Sequence, residues 1–260
     1  MNLLLDCGNT RLKWAVSSGD VAVRAQTHIV RHGVCDYVPV ALSALCASLN
    51  GIGLKALQFS SVVSAAREQA LFAELQPLGL APQRFIVGER FGTLMNAYRS
   101  IQTLGVDRWA AAIGAWGLFG RSCLIVSAGT ATTIDVVQAS PDRSEATYRG
   151  GLILPGVDLM QRALHAGTAR LPRAEGRYRA LPDVADNTHD AITTGAIEAT
   201  CGAIERMGQV LPSDAAWLLT GGAAPQIAAV LGQRVTQIDD LVLEGLALDL
   251  DYRQAADVGA

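Results

Sequence analysis

Hydrophobic and polar residues follow one another along the first half of the chain in short blocks that predict strands and helices. Apolar runs and period-two alternation predict strands at 3–6, 12–16, 21–30 and 56–63. Apolar residues at helical spacing predict helices at 37–49, 65–75 and 106–119, and the last of these is apolar almost throughout. Such a mixture indicates an α/β domain.

The second half of the chain repeats the opening pattern. Strands are predicted at 123–126, 132–137, 148–154, 216–219 and 235–238, and helices at 156–164, 188–207, 225–231 and from 239 onwards. An offset of 121 residues places Gly129 on Gly8 and Ser127 on Asp6, and each copy is a strand, a glycine turn and a second strand. We therefore predict a duplicated α/β fold with mixed sheets and a cleft between two domains, although so short a repeat also arises by chance.

The predicted domains are 1–118 and 119–260, with a C-terminal helix that can pack back on the first. The polar, proline-bearing segment 171–186 is predicted to be a loop within the second domain.

Composition narrows the classes of protein to consider. With 260 residues, half of them hydrophobic, the chain can bury a sizeable core, and its net charge of −3 argues against a general nucleic-acid binder. The longest nearly apolar run, 109–120, is well short of the ~20 residues that a membrane helix needs. Five cysteines without CxxC spacing and an N-terminus without a signal-peptide pattern favour the reducing cytoplasm.

Several common catalytic motifs are absent from the sequence. It contains no Walker A loop, HExxH, GxSxG or complete GxGxxG. Four scattered histidines without an HExxH motif do not predict a hydrolytic zinc site; they are His28, His32, His165 and His189.

The first candidate site is the turn after the opening strand. Backbone N–H groups of Gly8, Asn9 and Thr10 can hold phosphate oxygens, and Lys13 can neutralise their charge. Asp6, at the strand end, is placed to bind Mg²⁺, which prefers one or two carboxylates together with phosphate oxygens. The structural alternative is an ordinary hairpin with an Asx turn.

Two later turns have related chemistry. Gly129, Thr130 and Thr132 form a hydroxyl-rich turn between two apolar strands, and Gly221 and Gly222 lie between a strand and a helix. A glycine turn at a helix N-terminus can accept an anionic ligand, but each turn taken alone is also typical of a plain connection. Three such turns at strand ends predict a site for a nucleoside triphosphate.

A carboxylate lies at the start of the apolar helix 106–119. Asp107 can act as a general base for a hydroxyl nucleophile, and Arg108 can attract an anionic group. The alternative is that Asp107 is a first-turn helix acid and Arg108 a solvated charge. His165, at the end of a predicted helix, is more typical of a structural or capping histidine than of a ligand.

Taken together, these residues resemble the type III pantothenate kinases, a family of the actin-like ATPase superfamily. The resemblance covers nearly the whole chain and depends on five motifs in the family's order. They are Asp6 to Thr10 with Lys13, Gly105 to Arg108 with Tyr98 ahead of it, Gly129 to Thr133, Gly150 to Gly156, and Gly221 with Gly222.

The resemblance implies ribonuclease H-like domains and ATP-dependent phosphorylation of pantothenate at its primary hydroxyl, the first step towards coenzyme A. It implies Asp107 as the general base and Asp6 as the magnesium ligand. It places Gly8, Asn9, Thr10, Lys13, Gly129, Thr130, Thr132, Gly221 and Gly222 near ATP, and Tyr98, Gly105, Asp107 and Arg108 near pantothenate. It also implies a homodimer in which His165 and Thr188 complete the neighbouring subunit's pocket.

One position departs from the family pattern. Many members carry an aspartate, associated with a bound monovalent cation, where this chain has Ser127. Because a neutral serine holds a cation more weakly, we expect little or no dependence on K⁺ or NH₄⁺. Two other functions stay open, a regulatory or accessory protein on the same fold and a kinase for a sugar or another small acid. Retention of Asp6, Lys13 and Asp107 disfavours the first, and the Gly-Val-Asp-Arg motif disfavours the second.

Overall fold

A computed structural model describes residues 1–18 and 29–258, with side chains to residue 255. The chain forms two compact units. Unit 1 consists of Met1–Gly120, Ala139–Tyr148 and Asp240–Ala260, and unit 2 consists of Arg121–Gln138 and Arg149–Asp239.

The described residues contain twelve strands and seven α-helices. The strands are β1 (Asn2–Cys7), β2 (Leu12–Ser17), β3 (Ile29–Cys35), β4 (Ala56–Ser61), β5 (Pro82–Arg84), β6 (Arg90–Phe91), β7 (Leu94–Asn96), β8 (Cys123–Ala128), β9 (Ala131–Ala139), β10 (Ala146–Pro155), β11 (Ala216–Thr220) and β12 (Thr236–Gln237). The helices are α1 (Pro39–Leu49), α2 (Ala65–Leu75), α3 (Val106–Phe119), α4 (Val157–Gly167), α5 (Thr188–Gly208), α6 (Ala224–Leu231) and α7 (Leu241–Val258).

Unit 1 is built on a five-stranded sheet in the order β3-β2-β1-β4-β5. The central strand β1 is antiparallel to β2 and parallel to β4, so Asp6 lies opposite Lys13 on one side and beside Ser60 on the other. Leu3, Leu5 and Cys7 alternate onto one face of β1 and pack in a core with residues of α1 and α2. The end of the central strand of unit 1 therefore carries a carboxylate with two polar neighbours.

The C-terminal helix α7 packs on α3 and on strands β1 and β4. Glycines let the two helix backbones come close, because a Cβ on Gly245 would lie 1.8 Å from the carbonyl oxygen of Ala110. A Cβ on Gly114 would lie 2.4 Å from the carbonyl oxygen of Leu241. The C-terminal residues thus belong to unit 1, and the compact units differ from the predicted segments 1–118 and 119–260 at this segment and at Ala139–Tyr148.

Unit 2 repeats the topology of unit 1. Strand β8 is antiparallel to β9 and parallel to β11, and β11 is parallel to β12. The strand order β10-β9-β8-β11-β12 corresponds to β3-β2-β1-β4-β5, and the 121-residue offset carries β1 onto β8 residue for residue. This matching order confirms the predicted duplicated α/β fold with mixed sheets. Strand β10 begins in unit 1, where its first residues pair with β7, and continues into unit 2.

Most predicted elements are present with bounds shifted by one to three residues, and α2 and α3 match the predicted segments 65–75 and 106–119 at both ends. Of the predicted strand 21–30, residues 21–28, including His28, lie outside the described residues, and β3 begins at Ile29. The short strands β5, β6 and β7 were not predicted. Among the described helices, none combines the length and apolar character needed to cross a membrane.

Candidate active site

Asp6 is held at the end of β1 by the strands on both sides. The Ser60 hydroxyl on β4 donates a hydrogen bond of 2.9 Å to Asp6 Oδ1. On the other side Lys13 of β2 is the cross-strand partner of Asp6, and side chains at directly opposed positions lie on the same face of a sheet. The fold therefore places Asp6 and Lys13, both predicted to act near the first glycine turn, at facing positions of one hairpin.

Burial and the negative charge of Asp107 raise the pKa of Asp6 from 3.8 to about 6, against the lowering effects of the Ser60 hydrogen bond and of Lys13. Two carboxylates that repel each other in a partly dehydrated site favour any positive charge that enters it. The predicted metal ligand and the predicted general base thus lie close together, although 101 positions separate them in the sequence.

Asp107 lies in the first turn of α3, where the helix dipole favours a negative charge. Its Oδ1 atom accepts a hydrogen bond of 2.9 Å from the backbone N–H of Arg108. Gly105 precedes the helix, and a Cβ there would lie 2.6 Å from Asp107 Oδ1. A glycine at this position therefore leaves room for the carboxylate.

Arg108 is buried, at 6% exposure, so the alternative that it is a solvated charge is wrong. Its guanidinium lies 5.7 Å from the centre of the Tyr98 ring, a cation–π geometry. The fully buried ring of Tyr148 lies between Tyr98 and Trp109, at centroid distances of 6.3 and 5.8 Å. The structure therefore brings Tyr98 and Arg108, both expected near pantothenate, into contact on an aromatic support.

In unit 2 three predicted glycine segments converge at the end of β8. The backbone N–H of Gly156 donates to the carbonyl oxygen of Thr130 at 3.0 Å, and a Cβ on Gly156 would lie 2.2 Å from the carbonyl oxygen of Gly129. Gly221 has a φ of 101°, and a Cβ there would lie 2.4 Å from the carbonyl oxygen of Ala128. Glycine is thus required where the turn before α6 touches the β8–β9 hairpin, and Gly222 beside it is exposed.

Two threonine hydroxyls of β9 have no hydrogen-bond partner within the part of the chain that the structure describes. Thr132, predicted to bind ATP, is 0% exposed and pairs with Ala128 on the core face of β9, whereas Thr133 Oγ1 is buried on the opposite face. Ser127, the position that departs from the family pattern, is the cross-strand partner of Thr133. Since buried hydroxyls are rarely left unpaired, the Thr133 hydroxyl, on the same face as Ser127, fits a site that a ligand completes.

His165 and Thr188 lie elsewhere in unit 2, and both are exposed. His165 Nδ1 is 2.9 Å from the carbonyl oxygen of Leu171, so His165 fastens the end of α4 to the following loop. Thr188 begins α5, whose N-terminus is capped by Asn187 Oδ1 accepting from the N–H of Asp190 at 3.0 Å. Their described contacts do not include the glycine turns at β8.

Sequence reasoning missed three residues around the first glycine turn. Ser60 contacts Asp6, the Tyr37 hydroxyl donates to the carbonyl oxygen of Gly8 at 3.0 Å, and Arg67 Nη1 donates to that of Asn9 at 2.7 Å. The only sequence signal was the pair of serines that ends the buried strand β4. Tyr37 and Arg67 belong to no motif.

Within the described residues, no group of three or more His, Cys, Asp or Glu side chains forms a ready-made metal site. Asp6 nevertheless fits Mg²⁺, because a divalent cation would offset its repulsion with Asp107, and Mg²⁺ needs only one or two carboxylates when phosphate oxygens supply other ligands.

The chain is similar to known proteins along most of its length. The family model for type III pantothenate kinase matches residues 2–209. A protein of Aromatoleum aromaticum named type III pantothenate kinase is 42% identical over 250 residues, covering 95% of this chain and 97% of its own.

Two solved structures share the fold at low identity. A protein of Campylobacter jejuni described as a Baf family transcriptional activator has a TM-score of 0.60 at 17% identity, covering 98% of this chain and 99% of its own. Component A of the (R)-2-hydroxyglutaryl-CoA dehydratase of Acidaminococcus fermentans has a TM-score of 0.52 at 13% identity, covering 98% of each chain. At these identities the likeness concerns the fold alone.

Proposed function

The chain belongs to the type III pantothenate kinase family, and we propose that it transfers the γ-phosphoryl group of ATP to the primary hydroxyl of pantothenate, the first step towards coenzyme A. The observation that carries the proposal is the mutually repelling pair of carboxylates, Asp6 and Asp107, beside Lys13. Phosphoryl transfer depends mainly on positioning and charge neutralisation, which such a group of charges can supply.

Asp107 is the general base of the proposed reaction. Its fixed position in the first turn of α3, next to Gly105, holds the carboxylate ready to accept the hydroxyl proton of pantothenate. A proton gained by Asp107 also relieves its repulsion with Asp6. Arg108 lies at the start of the same helix, and the Tyr98 ring packs against its guanidinium. A guanidinium at this position suits the carboxylate of pantothenate.

Asp6 is the proposed magnesium ligand. Bound there together with phosphate oxygens, Mg²⁺ would offset the charge that develops on the transferring group. The hydrogen bond from Ser60 fixes the orientation of the Asp6 carboxylate before the metal binds.

Two sets of residues are proposed to bind ATP. In unit 1 the set is Gly8, Asn9, Thr10 and Lys13, on the hairpin that also carries Asp6. In unit 2 it is Gly129, Thr130, Thr132, Gly221 and Gly222. The close backbone packing at Gly221, in the turn before α6, supports this assignment.

We also propose a homodimer. Unit 2 exposes four large apolar side chains on β10 and α4, with Ile153 at 63% exposure; the others are Leu152, Leu159 and Leu164. Neighbouring exposed apolar residues of this kind mark interaction surfaces. His165 ends the same helix α4, which agrees with the expectation that it and Thr188 complete the partner subunit's pocket.

The five cysteines are all buried free thiols, which supports a reducing compartment and therefore the cytoplasm. At the Ser127 position the absence of a carboxylate supports weak or no binding of K⁺ or NH₄⁺. A non-enzymatic accessory role is disfavoured by the retained charges around Asp6.

The decisive experiment measures ADP formation by the purified protein with Mg²⁺ and ATP. Pantothenate is compared with a panel of other hydroxy acids and sugars at equal concentration. We expect turnover that depends on pantothenate. Turnover with a sugar in its place, or none with any acceptor, would contradict the proposal.

A further inference from the structure

Two side chains from outside the β1–β2 hairpin hold the turn between these strands. The Tyr37 hydroxyl donates to the carbonyl oxygen of Gly8 at 3.0 Å, and Arg67 Nη1 donates to the carbonyl oxygen of Asn9 at 2.7 Å. Two consecutive backbone carbonyl oxygens of the turn are therefore fixed by side chains.

Tyr37 and Arg67 also support each other. Tyr37 lies between β3 and α1, and Arg67 lies in the first turn of α2, where its N–H is 3.4 Å from the capping hydroxyl of Ser64. The Arg67 guanidinium lies 5.1 Å from the centre of the Tyr37 ring, within cation–π distance. Burial raises the pKa of Tyr37, so its hydroxyl stays protonated and remains a donor. The pair forms one clamp anchored on two separate elements.

The clamp determines how the peptide groups of the turn are oriented. In a trans peptide the C=O and N–H bonds point in opposite directions. With the carbonyl oxygens of Gly8 and Asn9 directed to the clamp, the N–H bonds of the same two peptide groups are directed away from it. Glycine has more backbone freedom than any other residue. Without the clamp, the peptide group that follows Gly8 can therefore rotate and direct its carbonyl oxygen towards the nucleotide. Carbonyl oxygens carry partial negative charge and repel phosphate.

We propose that Tyr37 and Arg67 are positioning residues for the phosphates of ATP, which act by keeping the carbonyl oxygens of Gly8 and Asn9 turned away from the bound nucleotide. This inference rests on the proposed function, because it takes the β1–β2 turn as a phosphate site. Neither residue needs to touch the nucleotide for this role.

Tyr37→Phe is the cleanest test, since it removes one hydroxyl and keeps the ring under Arg67. Losing one hydrogen bond to the turn should weaken ATP binding about 3- to 10-fold. Adenosine lacks phosphates, so its affinity should stay unchanged, as should the KM for pantothenate. Arg67→Ala should likewise weaken the binding of ATP and leave the affinity for adenosine unchanged.

Arg31→Ala is a matched control. The Arg31 guanidinium lies 5.6 Å from the centre of the Trp14 ring, and its Nη1 donates to the carbonyl oxygen of Ser48 at 2.9 Å. It thus makes the same two kinds of contact in unit 1 without holding the glycine turn. Thermal unfolding of all three variants measures any general loss of stability, and Arg31→Ala should bind ATP as the wild type does.

Equal weakening of ATP and adenosine in Tyr37→Phe would overturn the positioning role, as would unchanged ATP affinity. Weaker ATP binding in Arg67→Ala but not in Tyr37→Phe would also overturn it, because Arg67 would then act on the phosphates directly. A wild-type protein that binds ATP without phosphorylating pantothenate would contradict the proposed function. The comparison of ATP with adenosine would still decide the role of the clamp.

Discussion

Asp6→Asn should make the metal-free protein more stable at neutral pH while removing its kinase activity. At pH 7 the wild-type carboxylate is ionised although burial and the charge of Asp107 both oppose its ionisation. Asparagine has a similar shape and can still accept the hydrogen bond of Ser60, but it carries no charge. The substitution therefore relieves the repulsion and keeps the local contacts.

The size of the effect follows from the pKa of Asp6, which is raised from 3.8 to about 6. At 1.36 kcal/mol for each pH unit, ionising this group in the folded state costs on the order of 3 kcal/mol. One kcal/mol changes the melting temperature by roughly 2–4 °C in chains of 150–250 residues, so Asp6→Asn should raise it by about 6–12 °C at pH 7.

The direction of the pKa shift determines how the stability difference between Asp6→Asn and the wild type changes with pH. Because the pKa of Asp6 is higher in the folded than in the unfolded state, its contribution to stability is fully present below about pH 4 and is lost as the pH rises to about 6. The advantage of Asp6→Asn over the wild type should thus be largest above pH 6 and should disappear towards pH 4. Thermal or urea unfolding in a chelating buffer between pH 4 and 8 measures it.

Asp142→Asn is a control at a carboxylate whose pKa is shifted in the opposite direction. Hydrogen bonds from Ser140 and Ser144 lower the pKa of the exposed Asp142 to about 2, so this carboxylate is not destabilising at neutral pH. Its replacement should give no gain in stability. If Asp6→Asn were less stable than the wild type at pH 7, or if its advantage did not change between pH 4 and 7, the electrostatic account of the site would be wrong.

Three further predictions concern the reaction and the assembly. Asp107→Asn should lower kcat on the order of 10²–10⁴-fold, because it removes the proposed proton acceptor, while ATP affinity measured by calorimetry is retained; a wild-type rate would reject Asp107 as the base. Activity in Tris buffer should change little when K⁺ or NH₄⁺ is added, whereas Ser127→Asp should introduce a response; a strict requirement in the wild type would contradict this. Ile153→Glu should convert the proposed dimer to monomers in sedimentation velocity runs, because a charge cannot be buried unpaired, while Val40→Glu, at a still more exposed apolar position of unit 1, should leave the sedimentation unchanged.

The helices that the sequence predicted best have clear signals at both ends. Helix α2 begins after the capping hydroxyl of Ser64, and α3 lies between Gly105 and Gly120, whose φ of 56° ends the helix in a left-handed conformation. Strand β5 offered no such signal, since Pro82–Arg84 is exposed along its whole length and contains no hydrophobic alternation. Its pairing with β4 becomes visible only in the fold.

The 121-residue repeat was short, yet it predicted topology better than it predicted chemistry. Strand β8 follows β1 at that offset, but the second hairpin is one residue tighter, since Ala128 pairs with Thr132 where Cys7 pairs with Leu12. Ser127 takes the place of Asp6 and lies opposite the unpartnered hydroxyl of Thr133 instead of a lysine. A shared backbone plan therefore carries a charged turn in one copy and a neutral turn in the other.

The chemistry of Asp6 shows what a motif can and cannot predict. Spacing identified the carboxylate, the glycine turn and Lys13, because all of them lie on one hairpin. The pKa of Asp6 depends instead on its burial, on Asp107 of α3 and on Ser60 of β4, which lies beside it because β1 pairs with β4 in parallel. The same holds for the clamp on the turn, whose residues come from the loop before α1 and from α2. Local sequence thus predicts which groups are available, whereas charge state and orientation follow from long-range pairing.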